Sequence, residues 1–140
     1  MDTVRAELVS TPSSVRRARA VVSRALGPWP HLQDTAALLV TELATNAVLH
    51  ARTTFLVELR IGPDAVRISV SDTSPVRPQR KRHGVEAGTG RGLGLVALLS
   101  SAHGCDRRTD GTWSKTVWCE LPLDPTALPD PDDGALLATA

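Results

Sequence analysis

The chain has 140 residues, enough for one domain with a real core, and 41% of them are hydrophobic. With one Phe, three Trp and no Tyr, that core has to be built from Leu, Val and Ala. The net charge of +1 argues against a dedicated nucleic-acid binder, which usually carries a strongly basic face, and no apolar run approaches the roughly 18 residues that would span a membrane.

The first predicted element is a short strand in "TVRAELVS", where Val4, Ala6 and Leu8 alternate with polar residues. "TPSSVRRARAVVSRALG" then reads as a helix over about Ser13 to Leu26, opened by Ser/Thr caps and a Pro and closed by Gly27. "PWP" breaks the chain, and a second helix is expected from about Leu32 to Ala51. "TFLVELRIG" and "AVRISVSD" are β-rich runs joined by "GPD", a hairpin signal. The Pro-, Gly- and Arg-rich stretch from Thr73 to Thr89 reads as a long loop, and loops of that length in a small domain are usually functional lids or disordered.

After it, "GRGLGLVALLSSAHG" reads as a glycine-led helix closed by Gly104. "CDRRT" and "KTVWCELPL", flanking "DGTWS", read as a closing hairpin. The last stretch, 122–140, is rich in Pro and Asp with no basic residue and is expected to be a disordered tail to a domain covering 1–121. Helices bracketing antiparallel hairpins predict an α+β fold, a two-layer α/β sandwich whose mostly antiparallel sheet carries its helices on one face.

The N-terminus lacks the charged-then-apolar layout of a secretion signal, so a cytoplasmic location is expected. Cys105 and Cys119, without CxxC spacing, are then expected as reduced thiols packed as small hydrophobes. From Val76 to Arg91 five basic residues stand against Glu86, a bias that suits an anionic ligand, although a charge run is more often a solvated loop.

Three stretches carry chemistry. In "TELATNAVLHA", at roughly 100° per residue, Ala36, Leu39, Val40, Leu43 and Ala47 form one apolar stripe. Glu42 and Asn46 lie about 40° apart at its edge, with Leu38 and Leu49 flanking them on the other side. Two oxygen-bearing side chains one turn apart, half buried, suit a hard cation such as Mg²⁺ with its water shell. The plainer reading is a helix edge with an i,i+4 hydrogen bond. His50 falls inside the stripe and reads as a core histidine bonded to backbone.

In "GTGRGLGL", Gly88 to Leu95, four alternating glycines lead into an apolar helix. Glycines let backbone amides approach a ligand, and a helix N-terminus favours anions such as phosphates. Neither the GxxxxGK[ST] loop nor the dinucleotide fingerprint in its βαβ context is present. The third stretch, "RISVSDTSP", is a strand ending in Asp72. A carboxylate there can accept a hydrogen bond from an exocyclic amine such as that of adenine, but strand-ending Asp is also common turn chemistry.

An Asn-bearing helix, a strand ending in Asp, a lid, and GxGxGL opening a helix occur in this order in the GHKL superfamily of ATPase domains, which the chain resembles over roughly Ser13 to Leu121. "ELATNAVLHA" resembles its N box and "GRGLGLVALL" its glycine box. "DTSPVRP" takes the place of the adenine box but lacks both glycines of the usual Asp-x-Gly-x-Gly. With the final strand "KTVWCEL", the chain looks like the stand-alone anti-sigma-factor serine/threonine kinase branch.

The resemblance implies ATP and Mg²⁺ as ligands. It implies that Asn46 binds the metal, Glu42 acts as general base on an incoming hydroxyl, and Asp72 holds the adenine amino group. Gly88, Gly90, Gly92, Leu93 and Gly94 would offer amides to the phosphates. Arg91 would neutralise γ-phosphate charge, and Thr116 would support Asp72 or a water at the adenine. The partners it implies are a small anti-anti-sigma (STAS-type) protein, a sigma factor, or both, with a homodimer also open and no direct contact with nucleic acid or membrane. The rival readings are a nucleotide-gated binding module that sequesters a partner without transfer, the detached catalytic domain of a histidine kinase, and a scaffold whose glycine loop binds nothing.

Overall fold

The computed structural model describes residues 2–51, 53–74, 89–109, 111–124 and 126, with the backbone alone described at 89–93. Residues 75–88 of the expected lid, Gly88 among them, and nearly all of the expected tail lie outside the described residues.

β1 (Asp2–Val9) is followed by α1 (Pro12–Ala25). Pro12 occupies the first helical position, where its missing N–H is no loss. The expected hydroxyl cap does not form: Thr11 Oγ1 meets the Ser13 and Ser14 hydroxyls at 3.1 and 3.3 Å instead. A short 3₁₀ turn, Pro30–Leu32, absorbs the Pro-Trp-Pro break and leads into α2 (Gln33–His50). β2 (Thr54–Ile61) and β3 (Ala65–Asp72) form the expected hairpin. α3 (Thr89–Leu99), β4 (Ala102–Arg107) and β5 (Lys115–Pro122) complete the chain.

The five strands lie in the order β1-β2-β3-β5-β4, and every pairing is antiparallel. The α+β architecture read from the sequence is therefore present, with a sheet that is antiparallel throughout its described strands. Period-two alternation sorts the side chains. Phe55, Val57 and Leu59 of β2, Val66, Ile68 and Val70 of β3, and Val117, Cys119 and Leu121 of β5 are buried beneath the helices. α2 closes this core with Ala36, Leu39, Val40, Leu43, Ala44 and Ala47, and α1 adds Ala18 and Val22. All five residues of the predicted apolar stripe are thus buried. Cys119 is wholly buried, and that burial, with Glu120 beside it, pushes its thiol up to about 12, so it packs as an inert small hydrophobe.

The opposite face is polar. Arg5 and Arg60 pair with Glu58, and Arg67 pairs with Glu120 at 3.2 Å. The Arg67 guanidinium also lies 3.9 Å from the centre of the Trp118 ring. Beneath that ring is Gly104. The predicted helix closed by Gly104 stops at Leu99, and Gly104 stands in β4 opposite Trp118. A Cβ at 104 would fall 2.7 Å from Trp118 Cζ2, so close approach of the indole, rather than a helix C-cap, explains this glycine. Gly111, at φ 106°, is the residue that needs left-handed backbone, in the turn between β4 and β5.

Candidate functional site

α2 presents "TELATN" with three different fates for its polar groups. Thr41 and Thr45 turn their hydroxyls back onto their own helix, donating to the carbonyls of Ala37 at 2.7 Å and Thr41 at 2.6 Å. Asn46 is buried, 8% exposed, and its Nδ2 has no hydrogen-bond partner among the described residues. Glu42, one turn earlier, is half-buried, and burial raises its carboxyl above the ordinary range. The plainer expectation, a hydrogen-bonded helix edge, leaves the Asn46 amide unexplained. A buried amide without a partner costs on the order of 1–3 kcal/mol, a cost that a polar ligand would offset. Leu38 and Leu49 do not shield the pair as expected; they are 39% and 56% exposed.

Asp72 ends β3 and is almost wholly buried, on the same sheet face as Val66, Ile68 and Val70. Its Oδ1 accepts the Ser74 N–H at 2.9 Å, and its Oδ2 lies 3.6 Å from Lys115 Nζ. Burial holds the Asp72 carboxyl above its ordinary range; the Ser74 amide, the Lys115 ammonium and the nearby His50 offset that rise only in part. α2 and β3 pack together, so the Asn46 helix and the Asp72 strand form one wall.

Thr116 is not part of that wall. It pairs in register with Ser71, one residue off Asp72, and a strand's neighbours point to opposite faces. Its Oγ1 lies 2.7 Å from the Ser71 hydroxyl on the polar face. The expectation that Thr116 supports Asp72 therefore meets a different residue, Lys115, which the sequence reading did not single out.

α3 begins at Thr89, so Gly90, Arg91, Gly92, Leu93 and Gly94 all lie in its first two turns. A helix leaves its first four N–H groups without intrahelical partners. In α3 those belong to residues 89–92, with Leu93 and Gly94 further in. A Cβ at Gly94 would meet nothing within 4 Å, so this glycine leaves open space. α3 packs against α2, which sets the glycine-led helix beside the Asn46 helix.

Among the described residues no three His, Cys, Asp or Glu groups cluster to cage a metal. Mg²⁺ typically keeps several waters and takes one or two protein ligands plus substrate phosphates, so a single ligand from Asn46 fits a nucleotide-borne ion. The unmatched Asn46 amide carries a test. Asn46→Ala is expected to leave the unliganded melting temperature unchanged or slightly raised, because no bond of Nδ2 is lost. The part of any ATP-induced melting shift that depends on Mg²⁺ should disappear. A large loss of stability without nucleotide would show that Asn46 is structural.

Among the described residues no helix is long and apolar enough to cross a membrane. No curated protein matches the chain. Among solved structures it is similar to the histidine kinase domain of a blue-light activated histidine kinase from Erythrobacter litoralis, at 23% identity and a TM-score of 0.42, over 86% of this chain. The chain spans 64% of that structure's length. The family model for the histidine kinase-like ATPase domain matches residues 8–118, across the Asn46 helix, the Asp72 strand and the glycine-led helix. The chain belongs to the histidine kinase-like ATPase domain family, within the GHKL superfamily, and is an ATP-binding domain.

Proposed function

We propose that the protein is an anti-sigma-factor-type serine/threonine kinase, which binds ATP with Mg²⁺ and phosphorylates a hydroxyl on a small anti-anti-sigma partner of the STAS type. The observation that carries the reading is the pairing on one helix of a buried, unmatched Asn46 amide with a half-buried Glu42 whose carboxyl is made more basic by burial. The unmatched Nδ2 is a donor and suits a phosphate oxygen, which leaves the Asn46 carbonyl oxygen as the atom that would hold the ion; a base for an incoming hydroxyl is what Glu42 adds.

Asp72 would accept a hydrogen bond from the adenine amine. Gly88, Gly90 and Gly92 would lend amides to the phosphates, with Leu93 and Gly94 shaping the helix behind them, and Arg91 would offset γ-phosphate charge. The ion, held by Asn46 and the phosphates, would supply charge neutralisation during transfer. Glu42 takes the proton of the partner's hydroxyl as its oxygen bonds to the γ-phosphorus and the bond to the β-phosphate oxygen breaks, releasing ADP.

Incubation of the full chain with γ-labelled ATP, Mg²⁺ and candidate STAS-type partners tests the proposal. Label on a partner serine or threonine is the expected result. A melting temperature that rises with ATP, and no transfer to any partner, would leave a nucleotide-gated binding module. No response of the melt to millimolar ATP with Mg²⁺ would remove the pocket itself.

A further inference from the structure

The inner faces of β3 and β5 read Val66, Ile68, Val70 against Leu121, Cys119, Val117, rung by rung. The next rung breaks the pattern with Asp72 opposite Lys115. Both are buried, 2% and 4% exposed. A buried ion pair is weak as a stabilising device, since apolar residues of similar size often serve as well or better. Those apolar residues fill every neighbouring rung, so stability alone gives no reason for the exchange.

The geometry is also specific. Ser114 N–H donates to the Asp72 carbonyl at 2.8 Å, which ties the start of β5 to the end of β3. Asp72 Oδ1 is occupied by the Ser74 amide. Lys115 Nζ stands 3.6 Å from Oδ2, beyond the roughly 2.7–2.9 Å of a close charge-assisted hydrogen bond. Oδ2 therefore feels the positive charge and keeps lone-pair capacity for another donor. Among the described residues the charged or titratable groups that act on it are Lys115 from β5 and His50 from α2.

We propose that Lys115 is a positioning residue that sets base selectivity: it holds Asp72 as an acceptor-only carboxylate, so the site takes a purine with an exocyclic amine and rejects one with a carbonyl in that place. The inference rests on the nucleotide reading of Asp72. An ionised carboxylate cannot donate, whereas a protonated one carries an O–H that a purine carbonyl can accept. Burial pushes Asp72 toward the protonated form and leaves its carboxyl above the ordinary range; Lys115, 3.6 Å away and on the facing rung, is one of the groups that limit that rise.

The experiment compares ATP with inosine triphosphate, which replaces the amine by a carbonyl, binding each with Mg²⁺ by calorimetry from about pH 5.5 to 8. The full chain, Lys115→Met, Lys115→Arg and Asp72→Asn are used, each checked by its unliganded melt. The parent should prefer ATP across this range, with a ratio that falls less toward the acid end than that of Lys115→Met. Lys115→Met should lose roughly tenfold or more of that preference toward the acid end and recover it as pH rises. Lys115→Arg should keep the parent profile. Asp72→Asn, which brings an amide donor, should shift the ratio toward inosine triphosphate at every pH, and it decides the matter should Lys115→Met fail to fold.

Binding of both triphosphates equally by the parent overturns the inference, as does a folded Lys115→Met or Asp72→Asn with the parent's ratio and pH profile. Binding of neither triphosphate by the parent removes the nucleotide reading itself, a different and recognisable failure.

Discussion

Glu42→Gln is expected to bind ATP with Mg²⁺ about as tightly as the parent and to transfer phosphate on the order of 10²–10⁴-fold more slowly, the usual contribution of a positioned general base. The substitution keeps the shape and hydrogen-bonding capacity of the side chain while removing its charge and basicity. Asn46, not Glu42, is assigned to the ion, so the binary complex should not notice. A second readout comes from the unliganded protein. Burial raises the Glu42 carboxyl, so the fold favours the protonated form. The contribution of Glu42 to stability is then full below its ordinary range and is lost as pH rises through its value in the fold. Near neutrality the parent carries a half-buried charge that Gln does not, and Glu42→Gln should melt higher. The advantage should shrink as pH falls toward the carboxylate range. Unchanged transfer together with an unchanged melt would make Glu42 an ordinary helix-edge residue.

Phe55→Ala is expected to cost about 3–5 kcal/mol and to lower the melting temperature on the order of 10–20 °C. Phe55 is fully buried and is the largest side chain in the core. It pairs in register with Leu8 of β1 on one side and Asp72 of β3 on the other. Truncation would open a void at the rung that carries Asp72, and helices on one side and sheet on the other limit how far the site can collapse. A typical domain has only about 5–15 kcal/mol of total stability, so the variant should sit near its limit and gain more from saturating ATP than the parent does in functional yield. A shift of only a degree or two in chemical or thermal denaturation would show that the core repacks around the loss.

Much of this was legible in the sequence because it is written in short-range signals. Pro12, the Pro-Trp-Pro break and the 3.6-residue apolar stripe place α1 and α2 to within a residue or two of where they lie. "GPD" between two β-rich runs places the first hairpin. Asn46 was marked as a polar residue beside an apolar face, and it is buried with an amide unmatched. What stayed hidden depends on pairing between distant strands. Whether Lys115 or Thr116 meets Asp72 is a matter of one residue of register, and one residue flips the face. The alternation of Val117, Cys119 and Leu121 does put Lys115 rather than Thr116 on the core face; what no local pattern contains is that this strand pairs with β3 and sets Lys115 opposite Asp72. Gly104 misled for a related reason: after "LLSSAH" a glycine resembles a helix end, and only the opposed Trp118 shows why a side chain is excluded. The exposure of Leu38 and Leu49 was legible: at roughly 100° per residue both fall on the side of α2 opposite the buried stripe.

The strand order has a consequence for how the molecule assembles and breathes. β1 pairs with β2 only after α1 and α2 have intervened, Val9 against Thr54 and Asp2 against Ile61, so this is a non-local pairing that carries a loop-closure cost. As an edge strand it is also the natural place for the sheet to open first. β3 is held on both sides, by a local hairpin to β2 and by β5. The carboxylate proposed to read the adenine therefore hangs from the central strand, which is the one best protected against local unfolding, and fraying at the first residues of the chain can come and go without disturbing Asp72.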